Sequence, residues 1–162
     1  MSGRPRLHLY CATRGHEPVF VAGSRVLNAQ DAAALAALIV SAYRGTVDDE
    51  GETEVEALAE IEKTMKGGYG DWLQDYSLGT WIDESLVSAV VVTMFESLPL
   101  YAFCATRDGY KRQGHCERLM RRSLGLLHRR RLSKAHLFVT ASNEPAEGLY
   151  RRLGFTPNPQ VG

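Results

Sequence analysis

The chain has 162 residues, of which 44% are hydrophobic, and its 19 basic and 19 acidic side chains cancel to a net charge of zero. A chain of this length and composition buries a substantial core as a single domain over residues 1–162 without disulfide support. No apolar run approaches the ~20 residues of a membrane span, and the N-terminus lacks the apolar stretch of a signal peptide, so we expect a cytoplasmic protein without a membrane partner.

Hydrophobic periodicity and helix caps divide the chain into short strands and four helices. Thr53 and Glu56 form a capping box at the start of the second helix, whose apolar stripe is expected to include Val55 and Ile61. Residues 1–23 are predicted to be an N-terminal extension that forms a short hairpin. In chain order, the predicted elements are strands over residues 7–11, 19–23 and 24–28, helices over 29–43 and 54–66, strands over 78–82 and 86–95, a strand that begins beyond Pro99 and includes 101–106, a helix over 114–131, a strand over 135–140 and a final helix that carries Tyr150.

Two of these strands are expected to be parallel neighbours. The strands over 101–106 and 135–140 are joined through the basic third helix, and such a connection is right-handed in nearly all proteins. The chain is therefore predicted to be an α/β protein with a mixed sheet.

The zero net charge conceals two halves of opposite sign. Residues 31–96 contain 14 acidic and 3 basic side chains, whereas residues 97–162 contain 12 basic and 4 acidic ones. Most of these charges are expected on solvated helix faces. Fields of this size also steer charged ligands, so the basic half is predicted to face an anionic donor and the acidic half a cationic amine.

The three cysteines, Cys11, Cys104 and Cys116, are odd in number and show no C-x-x-C spacing. We therefore expect reduced thiols rather than a disulfide framework. The sequence also has no metal-binding signature, so no metal cofactor is predicted.

The turn before the third helix, RDGYKRQG, is suited to a diphosphate. A helix start leaves about four backbone N–H groups unpaired and carries roughly half a positive charge. Gly114 lets a phosphate approach closely, and Lys111 and Arg112 add cations. An ordinary basic loop is the alternative interpretation.

Two motifs resemble those of the GNAT acyltransferase superfamily. The turn from Lys111 to Cys116 partly matches the family's R/Q-x-x-G-x-G/A motif, with Cys116 where the family has Gly or Ala. HLFVTASNEPAEGLYRRLGF is similar to the second motif, including its L-Y-x-x-L-G-F ending. The resemblance covers most of the chain from Asn28 onward, and it implies a mostly antiparallel sheet whose central parallel pair splays apart, flanked by helices.

The resemblance also implies a donor site. Acetyl-CoA, or another acyl-CoA, is expected in the wedge between the splayed strands, with its arm bound by strand backbone groups and by Asn143, which has helix capping as an alternative or additional role. The predicted cofactor-binding residues are Phe103, Cys104, Ala105, Thr106, Lys111, Arg112, Gln113, Gly114, His115, Cys116 and Asn143.

Tyr150 falls at the family position whose hydroxyl donates a proton to the departing thiolate, although a structural aromatic is the alternative. The histone-modifying branch has a glutamate where this chain has Leu100, so the general base is sought elsewhere. Glu96 is one candidate, and Asp48, Asp49 and Glu50 in the loop after the first helix are the others. Deprotonation through a water, or an amine that arrives neutral because its own pKa is low, are the alternatives. The predicted acceptor-binding residues are Tyr43, Asp48, Asp49, Glu50, Tyr69 and Trp72.

The leading hypothesis is an N-acetyltransferase that transfers acetyl from acetyl-CoA to a primary amine of a small molecule or peptide by direct attack. The second hypothesis keeps the same fold but uses an aminoacyl-tRNA as the acyl donor. It is suggested by Cys116 and by the many arginines of the C-terminal half. The third is a non-catalytic ligand-binding domain, suggested by Leu100 in place of glutamate.

The C-terminus, GFTPNPQVG, contains two prolines where most family members have a further strand. The final strand of the sheet is therefore expected to be missing. Either the N-terminal segment or a second subunit in a homodimer is expected to cover the edge that this leaves, because exposed edges pair readily.

Overall fold

The computed structural model describes residues 5–161 and contains six strands and four α-helices, with 3-10 turns at Ala29–Asp31 and Gln74–Tyr76. The elements are β1 (Arg6–Ala12), β2 (Ser24–Val26), α1 (Ala32–Tyr43), α2 (Glu54–Met65), β3 (Leu78–Ile82), β4 (Ser85–Phe95), β5 (Leu98–Thr106), α3 (His115–Arg129), β6 (Lys134–Thr140) and α4 (Glu144–Leu153).

The strands form one mixed sheet in the order β1-β6-β5-β4-β3-β2. Its neighbouring strands are antiparallel except β5 and β6, which are parallel as predicted. A hydrophobic core lies on each face. Leu124 and Phe155 belong to the core formed with α3 and α4, and Leu38 and Ile61 belong to the one formed with α1 and α2.

The parallel pair β5 and β6 splays apart. Only one residue pair, Leu100 and His136, is in register between them. Beyond that pair the backbone groups on the facing edges of the two strands have no partner in the other strand, so the sheet opens into a wedge. The start of β5 differs from the prediction, because Pro99 lies inside the strand. Pro99 lies opposite Met94, next to the pair Phe95 and Leu98 that closes the β4–β5 hairpin. Pairs in an antiparallel ladder alternate between hydrogen-bonded and non-hydrogen-bonded, and Pro99 is at a non-hydrogen-bonded position, so β4 does not need the N–H group that proline lacks.

The N-terminal segment supplies the edge strand beside β6. β1 pairs with β6 over its whole length, from Arg6 opposite Thr140 to Ala12 opposite Lys134. The C-terminal tail adds one antiparallel bridge to β1, in which the backbones of Tyr10 and Thr156 exchange hydrogen bonds of 2.7 and 2.8 Å. Of the two alternatives for covering this edge, the structure therefore contains the N-terminal segment.

The predicted hairpin in residues 1–23 is wrong, as far as residues 5–23 show, because residues 19–23 form an irregular loop. The start of this loop and the two residues before it lie on α3, where Arg122 donates hydrogen bonds to the carbonyl oxygens of Pro18 and Val19 at 3.0 and 2.9 Å. Helix α3 approaches this loop so closely that a Cβ atom on Gly125 would lie 2.2 Å from the Pro18 nitrogen. Contacts with α3 thus hold this part of the N-terminal segment in place of the predicted strand pairing.

The helix caps are confirmed, but one predicted core position is wrong. Thr53 and Glu56 form the capping box of α2. Val55, assigned to its apolar stripe, is 78% exposed, whereas Ala57, Ile61 and Thr64 are buried. Val55 is in the first turn of α2. Among the described residues, no helix is both long and apolar enough to cross a bilayer.

Candidate active site

A cavity of about 500 Å³ opens where β5 and β6 splay apart. Its walls come from the two strands, the segment between α1 and α2, and α4. Seven predicted site residues line it: Tyr43, Asp48, Glu50, Phe103, Cys104, Asn143 and Tyr150. Charged residues that the sequence analysis did not assign also line it, and these are Arg6, Glu52 and Glu60.

Tyr150 reaches the cavity from the middle of α4 and is only 8% exposed. Its ring packs edge-on against Phe155, which fixes the side chain within the core. Burial, followed by the nearby Tyr43 and Asp48, raises the pKa of the phenol, and no hydrogen bond from a described residue opposes this shift. Tyr150 therefore presents a protonated hydroxyl that is not committed to another side chain.

Asp48 ties the segment between α1 and α2 to the opposite wall. Its Oδ1 atom accepts a hydrogen bond from the Thr140 hydroxyl at 2.6 Å, and its Oδ2 atom accepts one from the Asn143 amide at 2.9 Å. Asn143 also caps α4, because its Oδ1 atom accepts from the Ala146 N–H group at 3.2 Å. The capping role proposed for Asn143 is thus present, and Asp48 acts as a brace across the mouth of the wedge.

The wall formed by α1, α2 and the segment between them is acidic. Asp48, Glu50, Glu52 and Glu60 line the cavity, and Arg6 is the basic residue among the lining residues. The same wall carries Tyr43, whose pKa is raised to about 12 by burial and then by the charges of Asp48 and Glu52. The field inside the cavity is therefore negative and favours a cation.

The turn before α3 has the geometry of an anion site. Gly114 is the N-cap in the left-handed region, at φ 80°, and it provides no side-chain cap to the first turn of the helix. The N–H groups of that turn are thus left for a ligand. Lys111 is not a free cation, because its Nζ atom donates to the Ala42 carbonyl oxygen at 2.6 Å. Arg118, one turn into α3, lies at the turn instead and donates to the Gln113 carbonyl oxygen.

The model of the acetyltransferase (GNAT) family matches residues 33–155. The chain belongs to this family. A solved GCN5-related N-acetyltransferase from Sphaerobacter thermophilus shares 18% identity with a TM-score of 0.71, over 94% of this chain and 48% of that one. PaiA N-acetyltransferase from Thermoplasma acidophilum, in complex with coenzyme A, shares 16% identity with a TM-score of 0.63, over 82% of this chain and 88% of that one.

The ribosomal-protein-S18-alanine N-acetyltransferase from Escherichia coli shares 21% identity with a TM-score of 0.63, over 82% of this chain and 76% of that one. At such identities these neighbours show a common fold. The GNAT chain spans about half to three fifths of the length of the first solved structures that it matches. A search of curated proteins found no significant match.

Several residues predicted for the site of this GNAT protein lie outside the cavity lining. Glu96 is in the two-residue turn between β4 and β5, before the start of the splayed strand. Asp49 accepts hydrogen bonds from the backbone of Gly45 and Gly51, which lower the pKa of its carboxyl group and shape the loop. Residues predicted for the donor site that also lie outside the lining are Ala105, Thr106, Lys111, Arg112, Gln113, Gly114, His115 and Cys116.

The two aromatic side chains predicted for the acceptor pocket serve other contacts. The Tyr69 hydroxyl donates to Glu60, and the Trp72 indole donates to the Ser77 hydroxyl at 3.1 Å. Both belong to the segment after α2, and neither lines the cavity, although Glu60, the partner of Tyr69, does. Their assignment to the acceptor pocket stays a prediction.

A disulfide joins Cys104 of β5 to Cys116 of α3. The expectation of reduced thiols is wrong for these two residues and holds for Cys11, a buried free thiol whose pKa is raised by burial to about 12. Their spacing of 12 residues matches no motif, and only the return of the chain from β5 into α3 brings them together. The bond fastens the first turn of α3 to the strand that forms one side of the wedge.

Proposed function

We propose that this GNAT protein transfers an acyl group, acetyl in the simplest case, from acyl-CoA to a primary amine. The observation that supports the proposal is the cavity at the splayed strands, whose lining combines the hydroxyl of Tyr150 with an acidic wall. A thiolate leaving group calls for a nearby proton donor, and a cationic acceptor calls for carboxylates.

The donor site is proposed along the wedge. The free backbone groups of Phe103–Thr106 would bind the amides of the pantetheine arm, as strand backbone binds an extended ligand elsewhere. The N–H groups around Gly114 would then hold the diphosphate at the start of α3. The coenzyme A complex of the PaiA neighbour supports this choice of donor.

The chemistry needs few protein groups. The neutral amine attacks the thioester carbon, and backbone N–H groups stabilise the oxyanion. The C–N bond forms, the C–S bond breaks, and sulfur departs as a thiolate whose ordinary pKa is ~8.5. Because burial raises the pKa of Tyr150, its hydroxyl stays protonated and donates a hydrogen bond to the departing sulfur. It passes that proton to sulfur only as it takes up a proton from the cationic nitrogen that has attacked the thioester.

The acceptor is proposed to be an alkyl ammonium compound. Four carboxylates and one guanidinium line the cavity, so an ammonium group entering from solvent gains favourable charge interactions. This charge pattern supports a small cationic amine or a peptide amine over a neutral or anionic acceptor.

Several of the arginines that suggested an aminoacyl-tRNA donor are engaged within the chain, whereas Arg129, Arg130 and Arg131 are exposed. Arg121 and Arg152 pair with Glu117 at 2.9 and 3.1 Å, and Arg151 pairs with Glu147 at 3.3 Å. These contacts lower the positive potential available to a nucleic acid. An acyl-CoA donor is therefore the better proposal.

A thermal-shift panel of acetyl-CoA, longer acyl-CoAs, CoA and tRNA tests the donor, followed by mass spectrometry of an amine panel for acylated product. A ligand at about 100 times its dissociation constant stabilises the fold by roughly 2.7 kcal/mol, a readily measured shift. Acyl-CoA is expected to shift the midpoint and to yield an acylated amine. A shift with tRNA alone would reject the donor, and CoA binding without any product would indicate a non-catalytic domain.

A further inference from the structure

Among the described residues, the acidic wall of the cavity contains one carboxylate that is partly buried and receives no hydrogen bond, and this is Glu52. Asp48 uses both oxygens to bind Thr140 and Asn143, and Glu60 accepts a hydrogen bond from Tyr69. Glu50 is an exposed side chain. Glu52 is partly buried, lines the cavity and receives no hydrogen bond from a described residue.

We propose that Glu52 is the general base that takes a proton from the acceptor ammonium group. This inference rests on the acyl-transfer function proposed above and adds a catalytic residue to it. It also replaces Glu96, Asp48, Asp49 and Glu50, the carboxylates that the sequence suggested, because each of these lies off the cavity, is held by other groups or faces solvent.

The backbone of Glu52 is held in place. Glu52 directly precedes Thr53, the N-cap of α2, whose capping box with Glu56 fixes this end of the segment. At the other end, Asp48 braces the same segment against β6 and α4. A general base must be positioned as well as basic, and these two anchors hold the segment that carries Glu52.

Tyr43 connects Glu52 to the donor side of the cavity. The charges of Glu52 and Asp48 both act on the Tyr43 phenol, and Tyr43 and Asp48 in turn act on Tyr150. Glu52, Tyr43 and Tyr150 all line the same cavity. An amine bound in this cavity would have a proton acceptor, Glu52, and the hydroxyl that assists the leaving group within one site.

The surroundings of Glu52 suit it to this task. Burial raises the pKa of its carboxyl group first, and the negative charges of Glu50, Glu56, Asp49 and Glu60 raise it further. Arg6 on β1 is the positive charge in the cavity lining, and Tyr43 is neutral there. A carboxylate whose pKa lies nearer the working pH accepts a proton more effectively.

The proton balance is complete with the groups named. The ammonium gives one proton to the Glu52 carboxylate, and the neutral amine then attacks the thioester. The second nitrogen proton goes to the departing sulfur by way of Tyr150. The products are the amide, CoA thiol and a protonated Glu52, which loses its proton to solvent through the open mouth of the cavity.

The test compares Glu52→Gln with Glu54→Gln, an exposed carboxylate two residues away that does not line the cavity. For an alkyl ammonium acceptor, Glu52→Gln is expected to lower kcat by about 100-fold or more and to remove the acidic limb of the pH profile of kcat/KM. Glu54→Gln is expected to stay within about threefold of the wild type. Glu52→Asp should recover part of the rate with a shifted acidic limb.

A second acceptor separates proton transfer from binding. An aromatic amine with a pKa below 5 arrives already neutral, so Glu52→Gln is expected to change its rate less than about threefold. A rise in KM with kcat and the pH profile unchanged would overturn the proposal, because Glu52 would then only bind the cation.

Removing an unpaired charge among like charges should not unfold the chain, which a thermal melt checks. If the wild type acetylates amines and Glu52→Gln matches it, only the base is rejected. If the wild type binds no acyl-CoA, both proposals fail.

Discussion

Two buried tyrosines beside the cavity should respond in opposite ways to loss of their hydroxyl groups. Tyr101 and Tyr150 are 4% and 8% exposed, and both line the cavity. The Tyr101 hydroxyl donates to the Ser123 hydroxyl at 2.8 Å, and Ser123 donates to the Tyr76 carbonyl oxygen at 2.7 Å. The Tyr150 hydroxyl has no such partner among residues 5–161.

Tyr101→Phe should therefore affect folding and not chemistry. It removes one hydrogen bond and leaves a buried Ser123 oxygen without its donor, which costs about 1–2 kcal/mol of unfolding free energy. Turnover per folded molecule should stay within about threefold. Tyr150→Phe removes a hydroxyl with no partner, so the free energy of unfolding should stay within about 0.5 kcal/mol of the wild type or rise.

Tyr150→Phe should instead lower kcat by about 100-fold, which corresponds to roughly 2.7 kcal/mol of transition-state stabilisation. The assay pairs urea unfolding curves with initial rates at saturating acetyl-CoA, using the same protein samples. The reasoning is refuted if Tyr150→Phe keeps a kcat within threefold of the wild type, or if it destabilises the fold as much as Tyr101→Phe does.

Two further predictions concern stability. Gly125→Ala should destabilise the chain by about 1–3 kcal/mol although alanine is the better helix former, because the new Cβ atom would lie 2.2–2.7 Å from the backbone of Glu17 and Pro18. Gly148→Ala in α4, where the nearest atom to the new Cβ is 3.7 Å away, should stabilise the chain by about 0.5–1 kcal/mol. Equal urea midpoints for the two variants would contradict the docking of the N-terminal loop on α3. Burial lowers the pKa of His136, with a further contribution from His8, whose Nε2 atom lies 2.8 Å from His136 Nδ1, so the folded state favours the neutral ring. Stability should accordingly be complete above pH ~6.5 and fall as the pH drops below that value, since the unfolded chain then binds more protons. His136→Leu should weaken this dependence on acid in unfolding curves, and an unchanged slope would show that the ring is not responsible.

Local signals in the sequence predicted most of the helices and strands. Thr53 with Glu56 marks the start of α2, and the two strands that flank α3 were correctly predicted to be parallel. These features depend on neighbours within one turn or on the handedness of a single crossover. Residues 19–23 misled the prediction because their apolar run resembles a strand, whereas Val19 and Phe20 are exposed and the backbone at Pro18 and Val19 is held by Arg122 of α3, about 100 residues away in the chain.

The part of the candidate site that a motif defined was predictable residue by residue. Asn143 and Tyr150 come from one continuous motif, and both line the cavity. Glu52 had no distinguishing signal, because it is one of several acidic residues in its loop. Its burial and its lack of a partner emerge only once the loop is folded against β6 and α4. The meeting of Cys104 with Cys116 is likewise a product of tertiary structure.

Amide hydrogen exchange with and without acetyl-CoA tests most directly whether the wedge is the donor site. A saturating donor should slow exchange at the end of β5, over residues 103–106, and in the turn over residues 111–116, because ligand atoms would occupy backbone groups that the splay and the bare helix start leave unpaired. Distant amides, such as those at the C-terminal end of α3, should be unaffected. Binding of acetyl-CoA that protects other segments and leaves these two unchanged would contradict the account.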